Sequence, residues 1–175
     1  MAKRYMIADT HFGHARIMEY EKRPFDSVED MDAAIIENWN KVVQRDDIVF
    51  MLGDVSFYPK DKTTAIIQKL RGRKFLILGN HDTGRSETFW KDAGFEFVSR
   101  YSICVDNFYW LSHEPMYLCS SMPYVNIHGH IHNNTMATEK QPNQYVNVSV
   151  EKVGYTPMDF EDIKKIFING QESGK

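Results

Sequence analysis

Five times along this chain an apolar run ends directly in side chains able to bind a metal or move a proton. Asp9 and His11 follow the first run, Asp54 the second, Asn80 and His81 the third, His113 the fourth, and His130 with His132 the fifth. Carboxylate and amide oxygens and imidazole nitrogens all offer lone pairs, and imidazole also exchanges a proton near neutral pH. Seven ligands and one spare histidine, His81, exceed what a single ion needs. Two divalent ions sharing Asp54 as a bridging carboxylate would use the whole set and could clamp both sides of an in-line displacement. The mixture of oxygen and imidazole donors suits Mn, Fe, Zn, Ni or Co rather than Mg or Ca alone.

These residues need elements that bring them to one place. Phe75 to Leu78 reads as a buried strand that releases Gly79, Asn80, His81 and Asp82 at its C-terminal edge, where open α/β sheets bind ligands. Arg4 to Ala8 and Ile48 to Leu52 read as strands of the same kind. A short helix from about Ala15 to Glu21 precedes a turn at Arg23 and Pro24. Ser27 with Asp30 makes a capping box for a helix running to about Gln44, whose apolar stripe is Val28, Met31, Ile35, Trp39 and Val42. Lys62 to Leu70 is the next helix, with Ala65, Ile66, Ile67 and Leu70 on one face and Gly72 as its stop. Strand, helix, strand, helix, strand predicts parallel pairing with right-handed crossovers, so that three loops open at one edge. A helix over Ser86 to Ala93 follows, and then the chain turns β-rich. Phe95 to Val98, Ser102 to Val105, Phe108 to Leu111, Tyr124 to Ile127 and Tyr145 to Val150 read as strands, with Asp106 and Asn107 as a hairpin turn. Phe160 to Ile168 is a closing helix, and the polar segment Asn133 to Asn143 is predicted to be a loop.

A chain of 175 residues suits one domain, spanning residues 1–175, with a core that needs no disulfide or structural metal. The net charge of -3, from 21 basic and 24 acidic residues, argues against the strong positive field of a nucleic-acid coat or membrane-surface protein. Nucleic acid is therefore a possible but not a favoured partner. Two cysteines, Cys104 and Cys119, without CxxC spacing fit a reducing compartment. No stretch approaches the ~18 apolar residues of a membrane span, so a cytoplasmic, soluble protein is expected. Nothing in the sequence sets an oligomeric state.

The ordered set DTH at Asp9 to His11, GD at Gly53 to Asp54, GNHD at Gly79 to Asp82, His113, and GHIH at Gly129 to His132 resembles the five blocks of the calcineurin-like metallophosphoesterases. The resemblance implies an α/β fold, a two-sheet β-sandwich flanked by helices, with two divalent transition-metal ions at the loop edge. It also implies Asp9, His11, Asp54 and His132 on one ion, and Asp54, Asn80, His113 and His130 on the other, with Asn80 and His81 flanking a bound phosphate. The expected reaction is hydrolysis of a phosphodiester or small phosphomonoester, a nucleotide among them, by a metal-bridging hydroxide. His81 would neutralise phosphate charge and protonate the leaving oxygen, with Asp82 or a carboxylate elsewhere to orient it. The protein-phosphatase branch follows its second block with a further Asp and an Arg, whereas here Asp54 leads into Val55, Ser56, Phe57 and Tyr58. Folded phosphoproteins are thus not the expected substrates. Asp82 stands where many relatives carry Glu, and His113 lies in SHEP; neither removes a ligand. The extended first block, DTHFGH, is similar to small prokaryotic and phage-type members and, more loosely, to the DNA-repair nucleases of the superfamily.

Two other functions compete. A metal-dependent nuclease would use the same centre, and a non-catalytic metal-binding scaffold would keep the fold without turnover, against which the retained His81 counts. Among single residues, His128 falls inside a strand pattern, and His14 is expected either to line the phosphate pocket or to cap the following helix. Arg16 and Arg23 are expected in solvent and Trp39 in the core, while Trp90 and Trp110 fit helix and strand faces. Phe57 to Lys62, Met116 to Tyr124 and Asn133 to Asn143 are the loops expected to set specificity.

Overall fold

The computed structural model of the protein describes residues 2–119, 121–135 and 144–172, the last six by backbone alone. Its elements run β1 (Arg4–Ile7), α1 (Ala15–Tyr20), α2 (Val28–Val42), β2 (Ile48–Met51), α3 (Lys60–Lys69), β3 (Arg73–Ile77), α4 (Glu87–Ala93), β4 (Phe95–Ser99), β5 (Ile103–Val105), β6 (Tyr109–Leu111), β7 (Val125–His128), β8 (Tyr145–Asn147), β9 (Met158–Asp159) and α5 (Phe160–Glu172). They build two mixed sheets flanked by helices. One sheet has the order β4-β3-β2-β1-β9 and the other β5-β6-β7-β8.

In the first sheet β1, β2, β3 and β4 run parallel, as the alternation of strand and helix predicts. Ile7 pairs with Met51 and Met51 with Leu76, so the first three strands end level and their following loops share one edge. Both faces of this sheet are covered. Tyr5, Ile7, Val49 and Met51 join the helix-side core with Met31, Ile35 and Trp39, while Met6, Ala8, Phe50 and Leu52 face Leu111, Val125 and Ile127 of the second sheet. Two-sided burial is why these strands read as unbroken apolar runs. Phe160 and Ile163 of α5 complete the inter-sheet core.

Local signals act as their chemistry requires. Ser27 Oγ accepts the Asp30 N–H at 3.1 Å and caps α2. Asp106 and Asn107 both take positive φ, 52° and 53°, in the tight turn between antiparallel β5 and β6. Trp39 is fully buried, and its indole N–H donates to Arg71 O at 2.9 Å. Three expectations shift. In α3 the buried residues are Thr63, Ile66 and Ile67, and Ala65 faces out. The last strand stops at Asn147, because the chain then crosses to bridge Ser149 with Ala8 of the other sheet. There Ala8 N donates to Val148 O at 2.9 Å and Val150 N to Ala8 O at 3.0 Å, joining the two sheets at the loop edge. Strand β9 has no periodic signal, being two residues antiparallel to β1. Most of the polar segment from Asn133 to Asn143 lies outside the described residues. Among those described, no helix is long and apolar enough to cross a membrane.

Candidate metal centre at the shared strand edge

β1, β2 and β3 run out into Asp9 and His11, Asp54, and Asn80 with His81; β6 runs out into His113 and β7 into His130 and His132. The five pieces meet. Asp9, His11 and His132 form one group and Asp54, His113 and His130 another, the ligand atoms within each lying inside 4.8 Å of one another. Asp54 stands between them, its Oδ2 at 3.5 Å from both His11 Nε2 and His113 Nε2. Asn80 Oδ1 lies 3.0 Å from His113 Nε2 and 3.1 Å from His130 Nδ1, and those two nitrogens are 3.1 Å apart. Ligands about 2.1 Å from one ion at right angles are spaced by about 3 Å. His130 N–H donates to Asp9 Oδ2 at 2.9 Å, which ties the two groups together through the backbone.

The donor set fits a metal ion on an observation independent of motif. Asp9 Oδ1 and His11 Nε2 are buried without a hydrogen-bond partner, a state that is rare for polar atoms unless something else satisfies them. Five of the candidate ligands, Asp9, His11, Asp54, His130 and His132, also hold left-handed backbone at φ between 49° and 69°. Each such residue costs on the order of 1–2 kcal/mol, and strain of this kind gathers at functional sites.

Burial and mutual contact set the protonation states. Burial pushes the Asp9 carboxyl up to about 6 and the His11 imidazole down to about 4. For Asp54 burial acts upward too, but His11, His113 and the His81 N–H outweigh it and hold the carboxyl at about 2. Burial lowers His130 as well, with the neighbouring His113. Neutral imidazole and ionised Asp54 are the forms that ligate a metal.

The glycines of the second and third blocks allow the β2 and β3 loops to touch. Gly53 has φ of 86°, and a Cβ there would lie 2.6 Å from Gly79 N; one on Gly79 would strike Asp54 Oδ1 and lie 2.6 Å from Asp54 N. Asp82 is buried and accepts the N–H groups of Asp54 at 2.7 Å, Gly79 at 2.9 Å and Val55 at 3.0 Å. It therefore braces the Asp54 turn, and of the two alternatives expected beside the His81 ring, Asp82 or a carboxylate elsewhere, the carboxylate near it is that of Asp54. His81 donates its backbone N–H to Asp54 Oδ1 at 3.0 Å; its imidazole is half exposed, with Nε2 4.0 Å from Asp54 Oδ2. His14 occupies the N-cap position of α1 without a side-chain cap hydrogen bond. Instead its Nδ1 lies 3.1 Å from His11 Nδ1 and its ring stacks on Phe57 at 3.9 Å. His128 is buried in β7, with Nδ1 2.9 Å from Gly129 O.

Two residues escaped the sequence reading. Arg23, expected in solvent, is buried, and its guanidinium pairs with Glu151 at 2.6 Å; Arg16 is exposed as expected. An arginine in a Pro-flanked turn carries no local sign of burial. Glu151 did carry a sign: it directly follows Val150, the end of the predicted strand Tyr145 to Val150, and so is a carboxylate leaving a strand end. Its Oε1 lies 3.1 Å from His132 Nδ1. Burial lowers the His132 imidazole, but Glu151, with Asp9 and Glu21 adding to it, outweighs burial, so that its pKa is raised.

Comparison with known proteins places the family. A family model for calcineurin-like phosphoesterases matches residues 3–168. The chain is 35% identical over 179 residues to the uncharacterized protein MJ1445 of Methanocaldococcus jannaschii, covering 98% of this chain and 94% of that one. It is 42% identical over 85 residues to the gene 66 protein of Mycobacterium phage L5, covering 47% of this chain and 41% of the phage protein. Its fold is similar to that of AQ665, a protein of unknown function from Aquifex aeolicus, with a TM-score of 0.75 and 26% identity over 95% of this chain and 100% of the other. With the family match spanning nearly its whole length and both ligand groups at one sheet edge, the chain belongs to the calcineurin-like phosphoesterase family.

Proposed function

We propose that this protein is a dinuclear-metal-dependent phosphoesterase that hydrolyses a phosphodiester or a small phosphomonoester, such as a nucleotide, in the cytoplasm. The observation that carries this is the pair of ligand groups flanking Asp54 Oδ2, with Asp9 Oδ1 and His11 Nε2 buried and unsatisfied beside it. Asp9, His11, Asp54 and His132 would hold one divalent ion, and Asp54, Asn80, His113 and His130 the other. Such ions supply a water acidic enough to attack near neutral pH and positive charge against the phosphoryl oxygens.

The protein's own groups do the rest. Asp54 is ionised throughout the neutral range and is fixed by three contacts: the His81 N–H on one oxygen, and His11 and His113 beside the other. His81 belongs to neither ligand group, and its half-exposed ring leaves a nitrogen to hydrogen-bond a phosphoryl oxygen and to pass a proton to the departing oxygen. The exposed Phe57 ring lies 4.9 Å from His81 and stacks on His14, forming an apolar wall to one side of the centre. The test is turnover of bis-p-nitrophenyl phosphate and p-nitrophenyl phosphate by protein loaded in turn with Mn, Co, Ni, Zn and Fe. Absence of turnover with all five, in protein shown to hold two ions, refutes the proposal. Cleavage of DNA or RNA under the same conditions, with neither small ester hydrolysed, makes it a nuclease.

A further inference from the structure

Glu151 lies outside the five blocks and directly behind one of them. Its Oε1 is 3.1 Å from His132 Nδ1, and the same oxygen accepts from Arg23 Nε at 2.9 Å and Nη2 at 2.6 Å. Both side chains are closed to solvent, Arg23 at 0% and Glu151 at 2% exposure. The guanidinium continues to the other side, where Nη2 donates to Asp9 O at 2.8 Å and Nη1 to Thr10 O at 3.0 Å. One buried cation thus ties the Glu151 carboxylate to the loop that carries Asp9 and His11.

Arginine keeps its proton in proteins, and a neutral Glu151 would leave that cation buried without a counter-charge. Glu151 is therefore ionised, and an ionised carboxylate only accepts. The His132 nitrogen facing it must carry a ring proton, so that in the neutral imidazole, the form that ligates a metal, Nε2 holds the lone pair. Glu21 is the other carboxylate near His132, but its Oε2 takes the Asn133 N–H at 3.3 Å. The second ligand group is oriented differently: His113 Nδ1 lies 2.8 Å from the backbone carbonyl of Leu52, with no side chain involved.

We propose that Glu151, held by Arg23, is the positioning residue of His132: it fixes the imidazole as the Nδ1–H tautomer, presents Nε2 to the group of Asp9 and His11, and acts on that half of the centre alone. A carboxylate behind a ligating histidine sets ring orientation and raises ligand basicity. Here the carboxylate is itself locked to the backbone of the first block, so His132 and Asp9 keep a common frame. The metal-binding half of this proposal rests on the two-ion reading; the tautomer does not.

Long-range ¹H–¹⁵N correlation spectra of the full chain, before and after addition of Zn²⁺, report the tautomer directly. The expected result is a proton on Nδ1 of His132 in both states, and a ring protonated at Nε2 alone overturns the proposal whether or not the protein hydrolyses phosphoesters. For affinity, the double variant Arg23→Met/Glu151→Met removes both charges together, so that neither is left buried alone. In a calorimetric Zn²⁺ titration one of the two ions should bind about 10- to 100-fold more weakly and the other as in the parent, with His132 losing its Nδ1–H preference. Both affinities unchanged, or both lowered alike, overturn the proposal. If the double variant does not fold, the parent's tautomer decides. A parent that binds no second ion overturns the two-ion reading instead, and the tautomer again decides the role of Glu151.

Discussion

Replacing Arg23 alone by Met removes a buried guanidinium and leaves its partners in place. Glu151 then keeps a carboxylate closed to solvent with His132 Nδ1 still beside it but no cation, and the carbonyls of Asp9 and Thr10 lose their donors. Breaking a buried ion pair at one end costs about 3–5 kcal/mol, and a buried acceptor left unpaired about 1–3 kcal/mol. The two contributions overlap, because relaxation that admits water to one relieves the other. A net loss of about 3–5 kcal/mol is expected. Methionine refills much of the volume beside Met31, so a cavity adds little. For a chain of this length the melting temperature should fall by about 6–20 °C, at ~2–4 °C per kcal/mol.

The pH dependence of that loss has a definite sign. In the parent, burial pushes the Glu151 carboxyl up, but His132 and Arg23 outweigh it and hold it below its ordinary value. Without Arg23 the folded-state value rises above the unfolded one, so the ionised form destabilises the variant. The deficit should be full at about pH 8 and should shrink as the pH falls through the raised value, since Glu151 then takes up a proton on folding. Urea unfolding of parent and variant from about pH 8 to about pH 5 measures it. A loss below about 1 kcal/mol at the alkaline end, or a deficit independent of pH, would show that Glu151 is not a buried anion paired with Arg23.

Four further outcomes are expected. His81→Ala should retain both ions and lower turnover of bis-p-nitrophenyl phosphate by ~100-fold or more; equal rates for variant and parent remove His81 from proton transfer. In metal-free protein Asp9 titrates at about 6, so below that pH an incoming ion must displace its proton. Affinity for that ion should then fall by at least about tenfold per pH unit toward about pH 5, because His132, raised as well, must also give up a proton, and calorimetry in buffers of different ionisation enthalpy that counts no released proton contradicts it. Gly79→Ala drives a methyl into Asp54 Oδ1 and to 2.6 Å from Asp54 N. It should destabilise by about 1–3 kcal/mol and lower metal stoichiometry, and a variant holding two ions at parental stability disproves that close approach. Trp39→Ala empties a fully buried site beside Arg71, which precedes β3, whereas Asn80 and His81 follow that strand's other end. It should cost about 3–5 kcal/mol in urea unfolding while leaving metal stoichiometry unchanged.

The parts of this protein that were legible early are those whose signal is local. Apolar runs that end in Asp9, Asp54 and Asn80 mark buried strands because both faces of the sheet are covered, and that leaves no polar alternation to obscure them. Ser27 caps α2 through an N–H three residues away, and Asp106 and Asn107 turn a hairpin within their own two positions. The partners of Asp82 are hidden for the opposite reason. It sits next to His81, but the donors that claim it include Asp54 N and Val55 N, 28 and 27 residues distant.

What the amino-acid order determined by itself is the inventory: which elements form, which side chains leave the strand ends, and that their chemistry suits divalent metals and phosphate. Capping, turn preference and hydrophobic period all act within a few residues and need no partner. Tertiary structure alone decided how that inventory is held. Asp9 meets His130 across 121 positions, Arg23 meets Glu151 across 128, and Ser149 bridges Ala8 to join the sheets. Such contacts exist only once the chain has closed on itself. The same closure buries Arg23 where a turn arginine would ordinarily stay in water, because only there can one cation satisfy a carboxylate and two strand-end carbonyls at once.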